Sequence, residues 1–340
     1  MSDAYVTNGS FASYSGLLFN KGNTRTPLSS IIGSRRKVTD HTEFVTGLEY
    51  TTGGGSQPAI TETASLTAPD ATLITTTQKT NVTQIFQESV AVSYAKQSNM
   101  GTLSGVNIAN QEANPQNVLD FQVGARMQKI ARDIEYTFIN GAYQKSTGDG
   151  VANKTRGLVS AITTNTIDAS GAAIGIWNIA ELVKKVYESN APSSGLCLWA
   201  NATTMFQINA DAQQNNLTVV PASREINGIS LSSVVTPIGV VYLYLGECLP
   251  SGTALLLNLD VISPVEQPVP KKGNFFLEPL AKTGAGEKYQ IFGQIGLDHG
   301  PEWCHAKFTN IATSFTVPTY SKKIYISNAS EVGGSSSASG

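Results

Sequence analysis

His299, Cys304 and His305 form the only tight cluster of metal-ligating residue types in this 340-residue sequence. Imidazole and thiolate together suit zinc, but a structural zinc needs four ligands, and adjacent residues 304 and 305 on a strand would point to opposite faces. Gly284-Ala285-Gly286-Glu287-Lys288 has the glycines and lysine of a phosphate-binding loop. It lacks the four-residue gap between glycines, the Ser or Thr after the lysine, and a following helix whose dipole would face a phosphate, so it reads as a hairpin turn. Ser34-Arg35-Arg36-Lys37 matches the bare Ser-x-x-Lys spacing of an acylating serine, without any partner motif. No Gly-x-Ser-x-Gly elbow exists, and Asn81-Val82-Thr83 and Asn201-Ala202-Thr203 are the chance glycosylation triplets of a chain rich in Asn and Thr. No catalytic, cofactor-binding or metal residue is nominated, no cofactor is expected, and the chain does not read as an enzyme.

The elements that would have to position any site begin with Pro115–Tyr143, which the spacing predicts as one long amphipathic helix. Leu119, Val123, Met127, Ile130, Ile134 and Phe138 recur three or four residues apart and so share a face. The opposite face carries Arg126, Lys129, Arg132, Asp133 and Glu135, with Lys129–Asp133 and Arg132–Glu135 at ion-pair spacing on a solvated side. Pro115 suits the first turn and Gly141 the exit. At 1.5 Å per residue the helix would be about 40 Å long, suited to an elongated scaffold.

Charged residues make up 14% of the chain and the net charge is -2, so its surface is polar but sparsely charged, as in a subunit largely covered by neighbours. The densest basic run is Arg35 to Lys37, which argues against a dedicated nucleic-acid reader. Cys197, Cys248 and Cys304 are far apart and read as buried reduced thiols of a protein made in the cytoplasm. No segment approaches the ~18 apolar residues of a membrane span, and the N-terminus lacks the pattern of a signal peptide.

Along the chain, residues 1–40 read as an extended arm with a short helical turn at Leu28–Ile32. His41–Tyr50 reads as a strand, and the Thr-rich excursion that follows breaks at Gly53–Gly55, Pro58 and Pro69. With so few core residues it projects as a two-stranded flap that becomes ordered on a partner. Val82, Phe86, Val90, Val92 and Tyr94 share one parity of a returning strand. Beyond the spine, Trp177–Glu188 is amphipathic through Ile179, Leu182, Val183 and Val186. Strand-like GLCLWAN at 195–201, a helical stretch at 203–213 and the strands ISLSSVV, GVVYLYL and TALLLNL complete an α/β subdomain. Pro264, Pro268 and Pro270 read as a linker, with closing strands after it and a flexible tail ending GGSSSASG.

This order of parts is that of the tailed-phage major capsid proteins with the Hong Kong 97 fold. Ala131-Arg132-Asp133-Ile134-Glu135-Tyr136-Thr137-Phe138, then Asn140-Gly141 and Arg156-Gly157-Leu158, resembles the spine helix and post-helix loop of the major head proteins similar to that of coliphage SU-ten. Leu249-Pro250-Ser251-Gly252-Thr253-Ala254 running into three leucines, Glu278-Pro279-Leu280-Ala281-Lys282-Thr283-Gly284, Glu287-Lys288 and Ile291-Phe292-Gly293 resemble that branch's later strands. The likeness covers most of residues 25–315; the Thr-rich flap tip and the tail from Thr316 depart from it.

The resemblance implies an α+β fold of Hong Kong 97 type: an N-terminal arm (1–40), an extended β-hairpin flap or E-loop (41–81), a peripheral domain with the spine helix (82–160), an axial α/β domain (161–265), closing peripheral strands (266–318) and a C-terminal tail (319–340). It further implies a virion subunit, assembled in the host bacterial cytoplasm into hexamers and pentamers of an icosahedral shell around double-stranded DNA. Its partners would be copies of itself, a separate scaffolding protein, a portal and a decoration protein, with weak non-specific DNA contact and no membrane. A separate scaffold is expected because the arm is short, and non-covalent closure because no acid can be nominated to promote a lysine crosslink. Rival readings are a bacterial nanocompartment shell, which keeps the fold and changes the cargo, and a β-rich tail or adhesin subunit.

Overall fold

Two β-sheets and a hairpin are organised around one long helix in the computed structural model, which describes residues 25–52, 55–68, 70, 73–98, 118–214, 220–226 and 229–315. Helix α1 (Pro27–Ile32), a 3-10 turn (Gly33–Arg35) and β1 (Lys37–Val38) lead to β2 (Glu43–Tyr50), a one-turn α2 (Glu62–Ser65) and β3 (Thr76–Val82). Strand β4 (Gln84–Ser93) and α3 (Tyr94–Ser98) precede the spine, α4 (Val118–Asn140). Then come α5 (Leu158–Ala161), β5 (Thr166–Asp168), α6 (Ile176–Glu188), β6 (Leu196–Ala200) and α7 (Ala202–Gln214). Strands β7 (Val220–Ile226), β8 (Ile229–Val235), β9 (Val240–Leu245) and β10 (Ala254–Asn258) follow. Strands β11 (Ser263–Glu266), β12 (Phe276–Pro279) and β13 (Gly286–Asp298), a 3-10 turn (Glu302–Cys304) and β14 (Ala306–Thr309) close the described chain.

The larger sheet has seven strands in the order β5-β14-β10-β6-β9-β8-β7. Its centre is apolar on both faces, which is why Leu196-Cys197-Leu198-Trp199-Ala200 is buried at every position. Alternation divides that run between two cores. Cys197 and Trp199 meet Ile130, Ile134 and Phe138 of the spine, while Leu196, Leu198 and Ala200 meet Ile179, Leu182, Val183 and Val186 of α6. The smaller sheet is built on β13, which pairs β4 over Gly286–Ile295 and takes β11 and β12 on its other edge. Phe86, Ile291, Ile295 and Leu297 join the spine-side core.

The spine ends where glycine demands it. A Cβ on Gly141 would lie 2.4 Å from the Thr155 carbonyl oxygen, and one on Gly157 would lie 2.4 Å from the Gly141 nitrogen, so the post-helix loop crosses the helix exit backbone to backbone. Residues 141–143 are therefore outside the helix, and 115–117 fall outside the described residues. Two expectations for the helix faces are corrected. Met127, placed on the buried face, is exposed, because the N-terminal half of α4 lies along β4, where Leu119 and Val123 pack on Val90 and Val92. Glu135, placed on the solvated face, is fully buried: its carboxylate accepts the Leu28 N–H at 2.9 Å and the Ser29 N–H at 2.8 Å, capping α1. Lys129 lies 3.8 Å from Asp133 as the spacing predicts, and it and Arg126 also bind Glu88 of β4.

Three boundaries differ from the sequence expectation. From Pro27 onward the chain is no free arm, since Leu28 and Ile32 enter the core and β1 pairs β11; residues 1–24 lie outside the described ones. Pro264 lies inside β11 rather than in a linker. Strand β1 reaches only Val265 and Glu266, so no ladder partner asks for the missing Pro264 N–H on that side. Strand β14 closes the larger sheet, pairing β10 and β5, because Ala306 and Phe308 belong to the α6-side core.

Candidate interaction surfaces

The residues with metal-ligating chemistry lie close together and are all buried. Cys304 sits in a 3-10 turn, not on a strand as expected. His305 is fully buried; its Nδ1 accepts the Asn258 N–H at 3.1 Å and its Nε2 donates to the His299 carbonyl at 2.7 Å. Burial pushes its imidazole down to about 4 and pushes the Cys304 thiol up to about 11; it also lowers His299. These are neutral core groups, and no group of three His, Cys, Asp or Glu residues able to hold a metal occurs among the described residues. The Arg35–Lys37 run clamps to the body instead of facing a ligand: Arg35 binds Asp260 at 2.9 Å, Arg36 pairs Glu266 and Lys37 pairs Asp298. Gly284 and Gly286 belong to the turn that leads into β13. No described helix is long and apolar enough to cross a membrane.

What the structure brings together is the base of a hairpin. Strands β2 and β3 pair only with each other, from Glu43↔Val82 to Tyr50↔Thr76. Asn81, at 0% exposure, donates to the carbonyl oxygens of Leu297 (2.7 Å) and Arg156 (3.2 Å) and accepts the Arg156 N–H at 2.8 Å. The Thr46 hydroxyl donates to Asp298 at 3.0 Å and accepts the His299 N–H at 3.0 Å. Trp303 donates its indole N–H to Glu49 at 3.0 Å. Lys79 lies 3.7 Å from Glu302, whose carboxylate also accepts the N–H groups of Thr163 (2.9 Å) and Thr164 (3.1 Å) and the Thr164 hydroxyl. Burial alone would raise the Glu302 carboxyl, but those donors and Lys79 outweigh it and bring it down to about 2. The hairpin is thus bolted to the end of β13 and the residues just after it, to Arg156 before α5 and to the turn at Glu302–Cys304 by hydrogen bonds, half of them buried, and one ion pair.

Beyond that base the hairpin exposes apolar side chains. Leu48, Tyr50, Ile60 and Ile74 stand in solvent, Leu66 is 84% exposed and Leu73 is 94% exposed. Single exposed leucines are ordinary, whereas a run of them on one projecting element marks a surface meant to be covered.

The sequence profile of the family described as SU10 major capsid protein matches residues 2–312. No curated protein sequence matches the chain significantly. Among solved structures, the holo-SrpI encapsulin of Synechococcus elongatus PCC 7942 is similar at TM-score 0.60 and 12% identity, over 91% of this chain and 96% of that one. The capsid asymmetric unit of Cyanophage A-1(L) is similar at 0.57 and 12%, over 89% and 97%. The capsid of Myoviridae phage XM1 is similar at 0.54 and 13%, over 91% and 99%. At such identities the likeness concerns the fold, which is the α+β fold of Hong Kong 97 type.

Proposed function

From the premise that the chain belongs to the SU10 major capsid protein family, we infer that its copies close as hexamers and pentamers into an icosahedral shell around double-stranded DNA. It is a bacteriophage major capsid protein and a component of the virion capsid. The observation that carries the assembly reading is the hairpin β2–β3: fixed at its base by Asn81, Thr46 and Glu302, and apolar beyond it, where its side chains are exposed among the described residues. In this reading the flap lies across a neighbouring subunit and buries Leu66 and Leu73 there. Each such contact is modest, and closure comes from many of them, since a few very strong contacts would trap misassembled shells.

The segment 161–265 would line capsomer centres, and the spine with β4 and β13 would form the peripheral body. A separate scaffold, a portal and a decoration protein are the expected partners, with only weak contact to the packaged DNA at a net charge of -2. Closure is expected to be non-covalent, so boiling purified particles in detergent should yield monomer bands alone; a ladder of multimers would refute that point.

Negative-stain electron microscopy of the expressed chain, with scaffold added if subunits stay apart, tests the whole reading. Icosahedral shells support it, and tubes or fibres favour a tail subunit. The encapsulin fold likeness favours one second reading, a nanocompartment shell. Nuclease-protected DNA inside native particles supports the capsid, and an enclosed enzyme supports the compartment.

A further inference from the structure

Asp298, the last residue of β13, is 6% exposed and is held from two directions. Its Oδ2 accepts a hydrogen bond from the Lys37 ammonium at 2.5 Å, and its Oδ1 accepts the Thr46 hydroxyl at 3.0 Å and the Gly300 N–H at 3.0 Å. Lys37 stands on β1, which pairs β11 through Lys37↔Val265 and Val38↔Glu266. Thr46 stands on β2, in the flap. Among the described residues, Lys37 is the one cation within ion-pair distance of Asp298.

Thr46 is also where the flap changes register. Val45 faces Thr80 and Gly47 faces Lys79, so Thr46 has no residue opposite it across the hairpin. An extra residue of this kind bends its strand and re-aims its side chain. Here the re-aimed side chain is 3% exposed; it donates to Asp298 and accepts the His299 N–H at 3.0 Å. The bend keeps its direction only while Asp298 presents Oδ1 at that place. A carboxylate is planar and rigid, so a pull on one oxygen moves the other, and Lys37 and Thr46 share its rotation. The Asp298 side chain is 9% exposed and that of Lys37 is 56% exposed. Deprived of the ammonium, the buried anion is strongly disfavoured where it stands and turns toward water, away from Thr46.

We propose that Asp298 couples the N-terminal strand to the flap. Seating of β1 on β11 places Lys37, Lys37 orients the carboxylate, and the carboxylate holds the bend at Thr46 and with it the direction in which the flap leaves the body. A shift of β1 on β11 is thereby passed to the flap. The coupling is a property of the free subunit; only its use in fitting the flap to different neighbours rests on the shell reading.

Hydrogen exchange of free subunits tests it, read by mass spectrometry on peptides covering β2 and β3. The ladder of β1 is main-chain, so Lys37→Met leaves it paired, yet this substitution should speed flap exchange several-fold. In an Asp298→Asn background the same substitution should add nothing. Unchanged flap exchange in Lys37→Met overturns the coupling. So does an equal acceleration in the Asp298→Asn background, which would mean that Lys37 acts without the carboxylate. If Asp298→Asn does not fold, Thr46→Val supplies the background: effects that fail to multiply support the coupling, and effects that multiply overturn it. A chain that forms no particles counts against the shell reading alone, because all of these rates are measured on free subunits.

Discussion

Strand β6 buries all five of its residues between the spine and α6, whereas β3 leaves Thr76 to Lys79 exposed and is buried only at Asn81 and Val82. Both are strands of one chain, but the forces that hold them differ. The body is stabilised by apolar burial, at about 25 cal/mol per Å² and without direction. The flap is held by a handful of directional hydrogen bonds at one end, and its apolar groups contribute nothing until another surface meets them. A subunit divided in this way can fold alone and keep its assembly contacts in reserve.

The sharpest way to break that comparison is to remove the flap's far end. Deleting residues 51–69 should leave a folded, soluble subunit with an unchanged circular dichroism spectrum and no shells at any concentration. Normal shells would end the assignment. The opposite cut comes next in size: Leu182→Ala, in the α6-side core at 0% exposure, should cost the free subunit about 2–5 kcal/mol, read by urea unfolding.

The junction between the two regions should be sensitive to acid. His305 is held at about 4, below its ordinary value of 6.5, so the unfolded chain binds the proton more readily than the folded one. Stability then rises with pH across that interval, is fully present above about 6.5 and is lost as pH falls toward 4, by about 3 kcal/mol. Glu302, held down at about 2, has the same sign in a lower window, its contribution present above the ordinary carboxylate range and lost as pH falls to about 2. Thermal midpoints measured between pH 7 and 4 should fall, and His305→Asn should flatten the upper part of that slope; a flat wild-type profile would remove the junction from the account.

How much of this was legible in the sequence depends on what each residue needed in order to declare itself. Ile179, Leu182, Val183 and Val186 are a local pattern, so periodicity found all four, and each is fully buried. The hairpin could be read from its breaks and its lack of core. Glu135 could not be read, because helical spacing assigns a residue to a face and says nothing of a capping contact with Leu28 and Ser29, more than 100 positions away. Long-range pairing also hid the place of β14, grouped by the sequence with the closing peripheral strands but turned at Glu302–Cys304 into the larger sheet, where it pairs β10 and β5. Asn81 and Glu302, the bolts of the flap, are single polar residues without period or motif. Asp298 meets Lys37 of β1 and Thr46 of β2, and no local signal joins the three.

The smallest expected effect on the free subunit is also the most discriminating. Leu66, the C-cap of the short α2, is 84% exposed, and Leu73 is 94% exposed beyond it. Changing either to serine should shift subunit stability by no more than ~0.5 kcal/mol, as for surface substitutions generally. If a neighbour covers them, however, each substitution forfeits the burial of a leucine, about 1.5–3 kcal/mol per contact, and should raise the subunit concentration needed for assembly by about ten- to a hundredfold. A body residue such as Leu182 predicts the reverse, a large loss of subunit stability before assembly is reached. Assembly and unfolding measured on the same two variants, Leu66→Ser and Leu182→Ala, therefore separate the regions: opposite responses support two differently stabilised parts, and parallel responses would mean that the flap folds on its own chain after all.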